Sequence, residues 1–254
     1  MAWLYRIGLL VLVLAGSGCA VPIISERELQ VQSDAEFQKM RNQMVESRDA
    51  RVRGYVQCVS DAILAEVQQP YASLNWEVVV FDDEAVNAFA LPGGQIGVFT
   101  GLLKVAENQD QLAAVIGHEV AHVTERHSYE QVNRQVTTQA GVYAGAAVLG
   151  GGQTTYDLLS MGAQIGITLP YGRGAESEAD VVGLRYMAEA GFDPRASVQL
   201  WKNMDAKGGA SPPEFLSTHP SSGTRISGLI ALLPEALDGF NAARAEGKRP
   251  DCRR

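Results

Sequence analysis

Basic residues are in deficit: 21 lysines and arginines stand against 29 aspartates and glutamates, for a formal net charge of −8. No basic face dominates such a chain, so nucleic acid is not an expected partner. An apolar run of the ~20 residues that a membrane-spanning helix needs is also missing. The run at 7–15 is too short, and "AGVYAGAAVLGGG" breaks at Gly150-Gly151-Gly152. No internal repeat is visible, which leaves a single folded unit rather than an array. There are only three cysteines, none beside a histidine, which argues against a cysteine-based metal site. Histidine is scarce too, with four in 254 residues, yet three of them fall within "LAAVIGHEVAHVTERH" at 112–127.

What is present suffices for a substantial core, since 46% of the residues are hydrophobic. One domain is expected from that length and composition. The first twenty residues, "MAWLYRIGLLVLVLAGSGCA", place one cation, Arg6, before the short apolar run and small residues before Cys19. This pattern fits a secretory signal. A cysteine after small residues resembles a bacterial lipoprotein cleavage site, although Gly16 stands where leucine is usual. Ordinary cleavage nearby and an uncleaved anchor are the alternatives. The expectation is a signal peptide at 1–18, lipidation at Cys19, a tether over 19–32 and a folded domain over 33–254. Ala20, by resemblance to enterobacterial lipoproteins, points to the bacterial periplasm, with the lipid anchor at the outer membrane. The remaining pair, Cys58 and Cys252, is a disulfide candidate in such a compartment. Closing that loop stabilises by roughly 4–5 kcal/mol in the chain-entropy account. Two unrelated thiols are the alternative.

Along the chain, Ser33-Asp34-Ala35-Glu36 has the capping-box pattern that opens a helix. Val52, Val56, Val59, Ile63 and Val67 share one face of a second helix, ended by Pro70. "WEVVVFDD" at 76–83 reads as a buried strand. "NAFALPGGQIGVFTGLL" at 87–103 reads as a hairpin, or a strand with a tight bend, around Pro92-Gly93-Gly94. Asp110 is expected to cap the histidine-bearing helix. Two buried helices are expected over 136–169, then helices over 173–191, 195–206 and the second half of 217–234.

His118-Glu119-Val120-Ala121-His122 is an HExxH pattern. On a helix, residues four apart share a face, with Cβ atoms ~5–6 Å apart. Both imidazoles can then reach one Zn²⁺, and Glu119 is placed to take a proton from a metal-bound water. A surface helix carrying the pattern by chance is the bland alternative, but this helix is apolar, and unpaired polar burial is costly. His127 falls on the far side of a continuing helix, at about 100° per residue. A structural or helix-terminal role is therefore expected for it. A third ligand has to come from elsewhere. "RGAESEAD" offers Glu176 and Asp180, four apart on one face. Glu176 can bind the metal while Asp180 hydrogen-bonds a ligand histidine. Glu178 points away by about 200° and is assigned to solvent or structure.

Together, "HEVAH", "ESEAD", "NAFALPGG" and "THPSSGTRI" over residues 55–235 resemble the zinc metallopeptidases that include the type I CAAX prenyl protease and the bacterial HtpX-like proteases. That resemblance implies an α+β, mainly α-helical, gluzincin-like fold with a small sheet whose edge strand lies over the active site. It implies one Zn²⁺ per chain, with His118, His122 and Glu176 as ligands, Glu119 as general base and Asp180 as the partner of a ligand histidine. The edge strand, with Asn87, Ala88, Phe89, Ala90, Gly93 and Gly94, would pair with an extended substrate. His219 and Arg225 flank a loop that returns to the site in the family. His219 would donate to the oxyanion or visit the metal, and Arg225 would orient substrate or carboxylates. Loop capping and a structural salt bridge are their plainer readings. The integral-membrane relatives carry spans that are absent here, so the resemblance is to the soluble, exported branch.

The expected function is a zinc-dependent endopeptidase of the cell envelope that degrades misfolded or unassembled envelope proteins by Glu119-assisted attack of zinc-bound water. The alternative is a latched or inactive protease fold acting as a holdase or assembly factor for outer-membrane proteins.

Overall fold

Short-range signals set where each element begins. In the computed structural model, which describes residues 24–148, 170–207, 213–219 and 223–254, helix α1 (Glu26–Gln43) opens at Ser25. Ser25 and Glu28 close a reciprocal capping box. The tether expected over 19–32 is therefore corrected: from Glu26 onward it is helix. Ser33, the expected cap, is buried in mid-helix and its Oγ donates to the Gln30 carbonyl. Both Ser-x-x-Glu patterns exist in the sequence. Starting at the upstream one puts Leu29, Ser33 and Phe37, four apart, on one buried face. The expected signal peptide, Cys19, the second helix of 136–169 and the loop at 208–212 lie outside the described residues.

Helix α2 (Ala50–Leu64) is capped by Asp49 and buries Val56, Val59 and Ile63 completely. It stops at Leu64, six residues before Pro70. Strands β1 (Glu77–Phe81), β2 (Ala88–Ala90) and β3 (Gln95–Phe99) form one sheet in the order β1-β3-β2. β1 runs parallel to β3, and β2 pairs antiparallel with it, so β2 is an edge. Gly94, at φ +97°, takes the left-handed turn between β2 and β3. The period-2 alternation of strands separates two apolar faces. Val80, Ile96 and Val98 enter the main helical core, while Val79, Phe81 and Phe99 pack with Phe37 of α1 on the other side.

Helix α3 (Gln109–Thr124) runs through the middle, buried along nearly all its length. Its cap is Asn108, which accepts from the Gln111 N–H. Asp110, the expected cap, instead accepts from the Asp193 N–H. Arg126, at φ 62°, breaks the chain direction before α4 (His127–Val148). Helix α5 (Arg173–Glu189) crosses α3 with almost no space between backbones. A Cβ on Gly183 would lie 2.7 Å from the His118 nitrogen, and one on Gly117 would lie 2.8 Å from the Gly183 carbonyl oxygen. Only glycine permits that approach. Helices α6 (Arg195–Lys207), α7 (Glu214–Thr218) and α8 (Gly223–Ala245) complete the described fold. α8 continues through Pro234, where the sequence pattern ended it. The fold is α+β and mostly helical. In the structure Cys252 in the C-terminal tail is disulfide-bonded to Cys58 on α2, with Cα atoms 5.7 Å apart. Among the described residues, no helix is long and apolar enough to cross a membrane.

Candidate metal centre

One helical turn separates His118 from His122, and their Nε2 atoms approach to 3.0 Å. The glycine contact between α3 and α5 brings Glu176 to the same point. Its Oε2 lies 3.6 Å from His118 Nε2, and its Oε1 lies 3.5 Å from His122 Nε2. His219 arrives from the segment after α7, with Nδ1 3.3 Å from His118 Nε2 and 3.0 Å from Glu176 Oε1. One ligand atom from each of these four residues lies within 4.8 Å of the others, and all four residues are buried. Three imidazole nitrogens and a carboxylate converging in a buried position suit a divalent cation that accepts nitrogen and oxygen donors, as zinc does. Glu176 Oε2 supports that fit. It sits 2.6 Å from Arg225 Nη1, close enough for an ion pair, but no hydrogen bond lines up with it.

Around this cluster lies a second set of contacts. Asp180 Oδ1 faces His118 Nδ1 at 3.2 Å. Arg225 donates through Nε and Nη2 to Asp180, and its guanidinium stacks 3.9 Å over the Trp201 ring. The structure thus places Arg225 on the carboxylates. Burial pushes the Glu176 and Asp180 carboxyls up, but histidine and arginine partners outweigh it and hold both below the usual carboxylate range. Burial lowers His118, yet Asp180 and Glu176 overcome it and raise the imidazole to about 9. His122 is driven well down by burial and by its cationic neighbours.

Glu119 is also buried and lies beside the cluster, with Oε1 3.3 Å from His219 Nε2 and making no hydrogen bond. Burial raises its carboxyl above the ordinary range, against the pull of His219 and His118. Its Oε2 accepts from the Ala90 N–H of β2 at 3.3 Å. In the β2–β3 pairing, the Leu91 N–H donates to Gln95 and the Phe99 N–H donates to Asn87. By antiparallel alternation, the backbone groups of Ala88 and Ala90 point away from β3, along the outer edge. Asn87 reaches that edge through its side chain, which accepts from the Ala88 N–H. Phe89 turns its ring into the aromatic cluster of Phe37, Phe81 and Phe99. Gly93 and Gly94 are not brought to this edge, a correction to the sequence reading. The Gly93 N–H donates to Ser33, and the Gly94 carbonyl accepts from Glu77.

Several neighbours of the site carry no spacing signal. The Tyr171 ring stacks on His122 at 4.0 Å with its hydroxyl 2.7 Å from Ser128 Oγ, and Phe215 stacks on His219 at 4.5 Å. His127 was expected on the far side of a continuing helix. The break at Arg126 turns it back, so that its Nδ1 lies 3.0 Å from His122 Nδ1 and its Nε2 lies 3.3 Å from Glu178 Oε2.

Comparison with known proteins gives the same chemistry. The chain is 43% identical to a mitochondrial metalloendopeptidase OMA1 of Schizosaccharomyces pombe over 168 residues, 65% of this chain and 49% of that protein. It is 37% identical to a mitochondrial metalloendopeptidase OMA1 of Arabidopsis thaliana over 178 residues, 68% of this chain and 35% of that one. A beta-barrel assembly-enhancing protease of Yersinia pestis matches at 26% over 229 residues, 84% of this chain and 45% of that protein. The chain therefore spans half or less of the length of these relatives. They also overturn the expected lipid-anchored location in a bacterial periplasm at the outer membrane. The two relatives of higher identity are mitochondrial, and the bacterial one matches more weakly. Residues 50–232, most of the chain and all of the cluster just described, match the model of peptidase family M48, and the chain belongs to that family.

Proposed function

We propose that the protein is a zinc-dependent endopeptidase acting on extended segments of unfolded or unassembled proteins. The observation that carries the reading is the convergence of His118, His122 and Glu176 beside a buried Glu119 that is itself tied to an edge strand. His118, His122 and Glu176 hold the metal. Zinc, when bound, would polarise the attacking water and the scissile carbonyl. Glu119 receives the proton of that water and returns it to the leaving amine, a task that suits a carboxylate raised above its usual range. The outward carbonyls of Ala88 and Ala90 pair with the substrate strand, and their N–H groups join once they leave Asn87 and Glu119. Asp180 holds the His118 ring, and Arg225 holds Asp180 and Glu176 in place. His219 supplies a donor toward the oxyanion when it leaves the ligand cluster. The names of the two metalloendopeptidase relatives support this activity, and that of the assembly-enhancing protease supports a substrate class of unassembled proteins.

A second reading has its own observation. His219 sits among the ligand atoms, 3.0 Å from Glu176 Oε1, so it closes the site in this conformation. A protease latched until a client displaces His219, or a holdase on the same fold, fits that placement. Cleavage of unfolded casein by the intact chain and by Glu119→Gln tests the main reading. The variant should retain zinc and lose roughly 10²–10⁴-fold in rate. Undiminished cleavage by the variant contradicts the role of Glu119, and zinc without cleavage in the unaltered chain favours the latched reading.

A further inference from the structure

We propose that His127 and Glu178 form an outer relay that fixes the tautomer and orientation of His122 so that its Nε2 faces the metal. The inference rests on the assignment of His122 as a ligand and extends it to His127, read from sequence as structural or helix-terminal, and Glu178, read as facing solvent or structural.

The two ligand histidines are built alike. Each turns Nε2 inward, 3.0 Å from the other, and Nδ1 outward. The outward nitrogen of His118 meets a carboxylate, Asp180, at 3.2 Å. The outward nitrogen of His122 meets His127 Nδ1 at 3.0 Å. A neutral imidazole carries one proton on one nitrogen. If His122 Nε2 offers its lone pair to a metal, its proton sits on Nδ1 and is donated to His127 Nδ1. His127 must then accept at Nδ1 and carry its own proton on Nε2. That nitrogen faces Glu178 Oε2 at 3.3 Å. The proton placement closes without conflict: His122 donates to His127, and His127 donates to Glu178. A carboxylate thus stands behind each ligand histidine, directly at His118 and through one imidazole at His122. Such outer partners fix a ligand ring and raise its basicity.

The chain holds this arrangement at a cost. Arg126 adopts φ 62°, a conformation that side-chain-bearing residues disfavour. That break puts His127 at the start of a new helix and buries it at 4% exposure. Ser128, the next residue, bonds the hydroxyl of Tyr171, whose ring is stacked on His122. The two consecutive residues therefore hold the imidazole at its edge and, through Tyr171, at its face. On α5, Glu176 faces the metal cluster, Asp180 backs His118, and Glu178, with 58% of its side chain exposed, reaches His127.

The test is the zinc dissociation constant of the full chain, measured by competition with a chelator. Absorption of the cobalt-substituted protein reports ligand geometry alongside it. His127→Phe should weaken zinc by roughly 10–100-fold. His127→Asn keeps an acceptor near Nδ1 and should recover most of that loss. Glu178→Ala should weaken zinc several-fold and perturb the cobalt spectrum, but have no added effect in the His127→Phe background. Glu178 is exposed, so its variant keeps the test standing even if His127→Phe does not fold. Unchanged zinc affinity and cobalt spectrum in Glu178→Ala would overturn the relay. So would an equal loss from Glu178→Ala in both backgrounds, because the two residues would then act independently. Absence of zinc binding in the unaltered chain would overturn the relay and the metal assignment together, whereas zinc binding with unaffected variants sinks the relay alone.

Discussion

At the residue scale, Glu119 is held between burial, which favours its neutral form, and two histidines, which favour the charged one. Burial prevails, so its carboxyl titrates above the 4.5 of a free glutamate. In the metal-free chain the Glu119 carboxyl, followed by carbon-13 NMR, should therefore titrate above pH 4.5, the unshifted value. A titration at or below that pH contradicts the placement of Glu119 as a buried carboxylate. Glu176 and Asp180 shift the other way. Their folded values are depressed below 4.5 and 3.8, so the stability they contribute is present above those pH values and lost as the pH falls below them. The meeting of His118 with His122 was legible because an i, i+4 spacing has one geometric meaning on a helix. The environment of His127 was not, because the left-handed Arg126 that redirects it has no signature in residue type. Gly93 and Gly94 misled for the opposite reason. They mark a turn correctly, but a turn signal does not say which neighbour the turn packs on.

At the element scale, the site depends on how closely α3 and α5 approach. Neither helix assembles the cluster alone, since α3 carries two of its histidines and α5 carries Glu176. Gly183→Ala adds a Cβ that would fall 2.7 Å from the His118 nitrogen, so the helices have to separate or shift. Overpacking of this kind costs about 1–3 kcal/mol. We expect a lower melting temperature together with weaker zinc binding, read by thermal unfolding and chelator competition. A variant as stable and as metal-loaded as the parent would show that the approach is not limiting. The helices and the hairpin were visible in the sequence through their apolar periods and the Pro-Gly-Gly turn. The start of α1 was not, because two capping-box patterns compete and only tertiary burial of Leu29 and Phe37 decides between them. The parallel pairing of β1 with β3 was also hidden, since no local signal joins strands across an intervening edge strand.

At the scale of the whole molecule, the C-terminal tail is fastened to the second helix through Cys58 and Cys252, 194 residues apart. Cys252 also donates its N–H to Gln109, the first residue of the helix that carries the histidines. Removing the cross-link with Cys58→Ser and Cys252→Ser should cost roughly 4–5 kcal/mol in the chain-entropy account. Denaturant unfolding measures it, and a stability equal to the parent's would show that the tail contributes nothing through this bond. The chain order of the motifs, with strand, histidine helix, acidic helix and His219 segment in sequence, carried the family resemblance that implied the fold class. The compartment was not legible, because an apolar run with a nearby cysteine is compatible with more than one destination, and the mitochondrial relatives overturn the periplasmic one.

The central claim is that His118, His122 and Glu176 hold one metal ion. Elemental analysis of the purified full chain beside Glu176→Ala tests it most directly. The account predicts close to one zinc per chain in the parent and a large loss in the variant. A parent without zinc, or a variant that keeps it fully, would contradict the account.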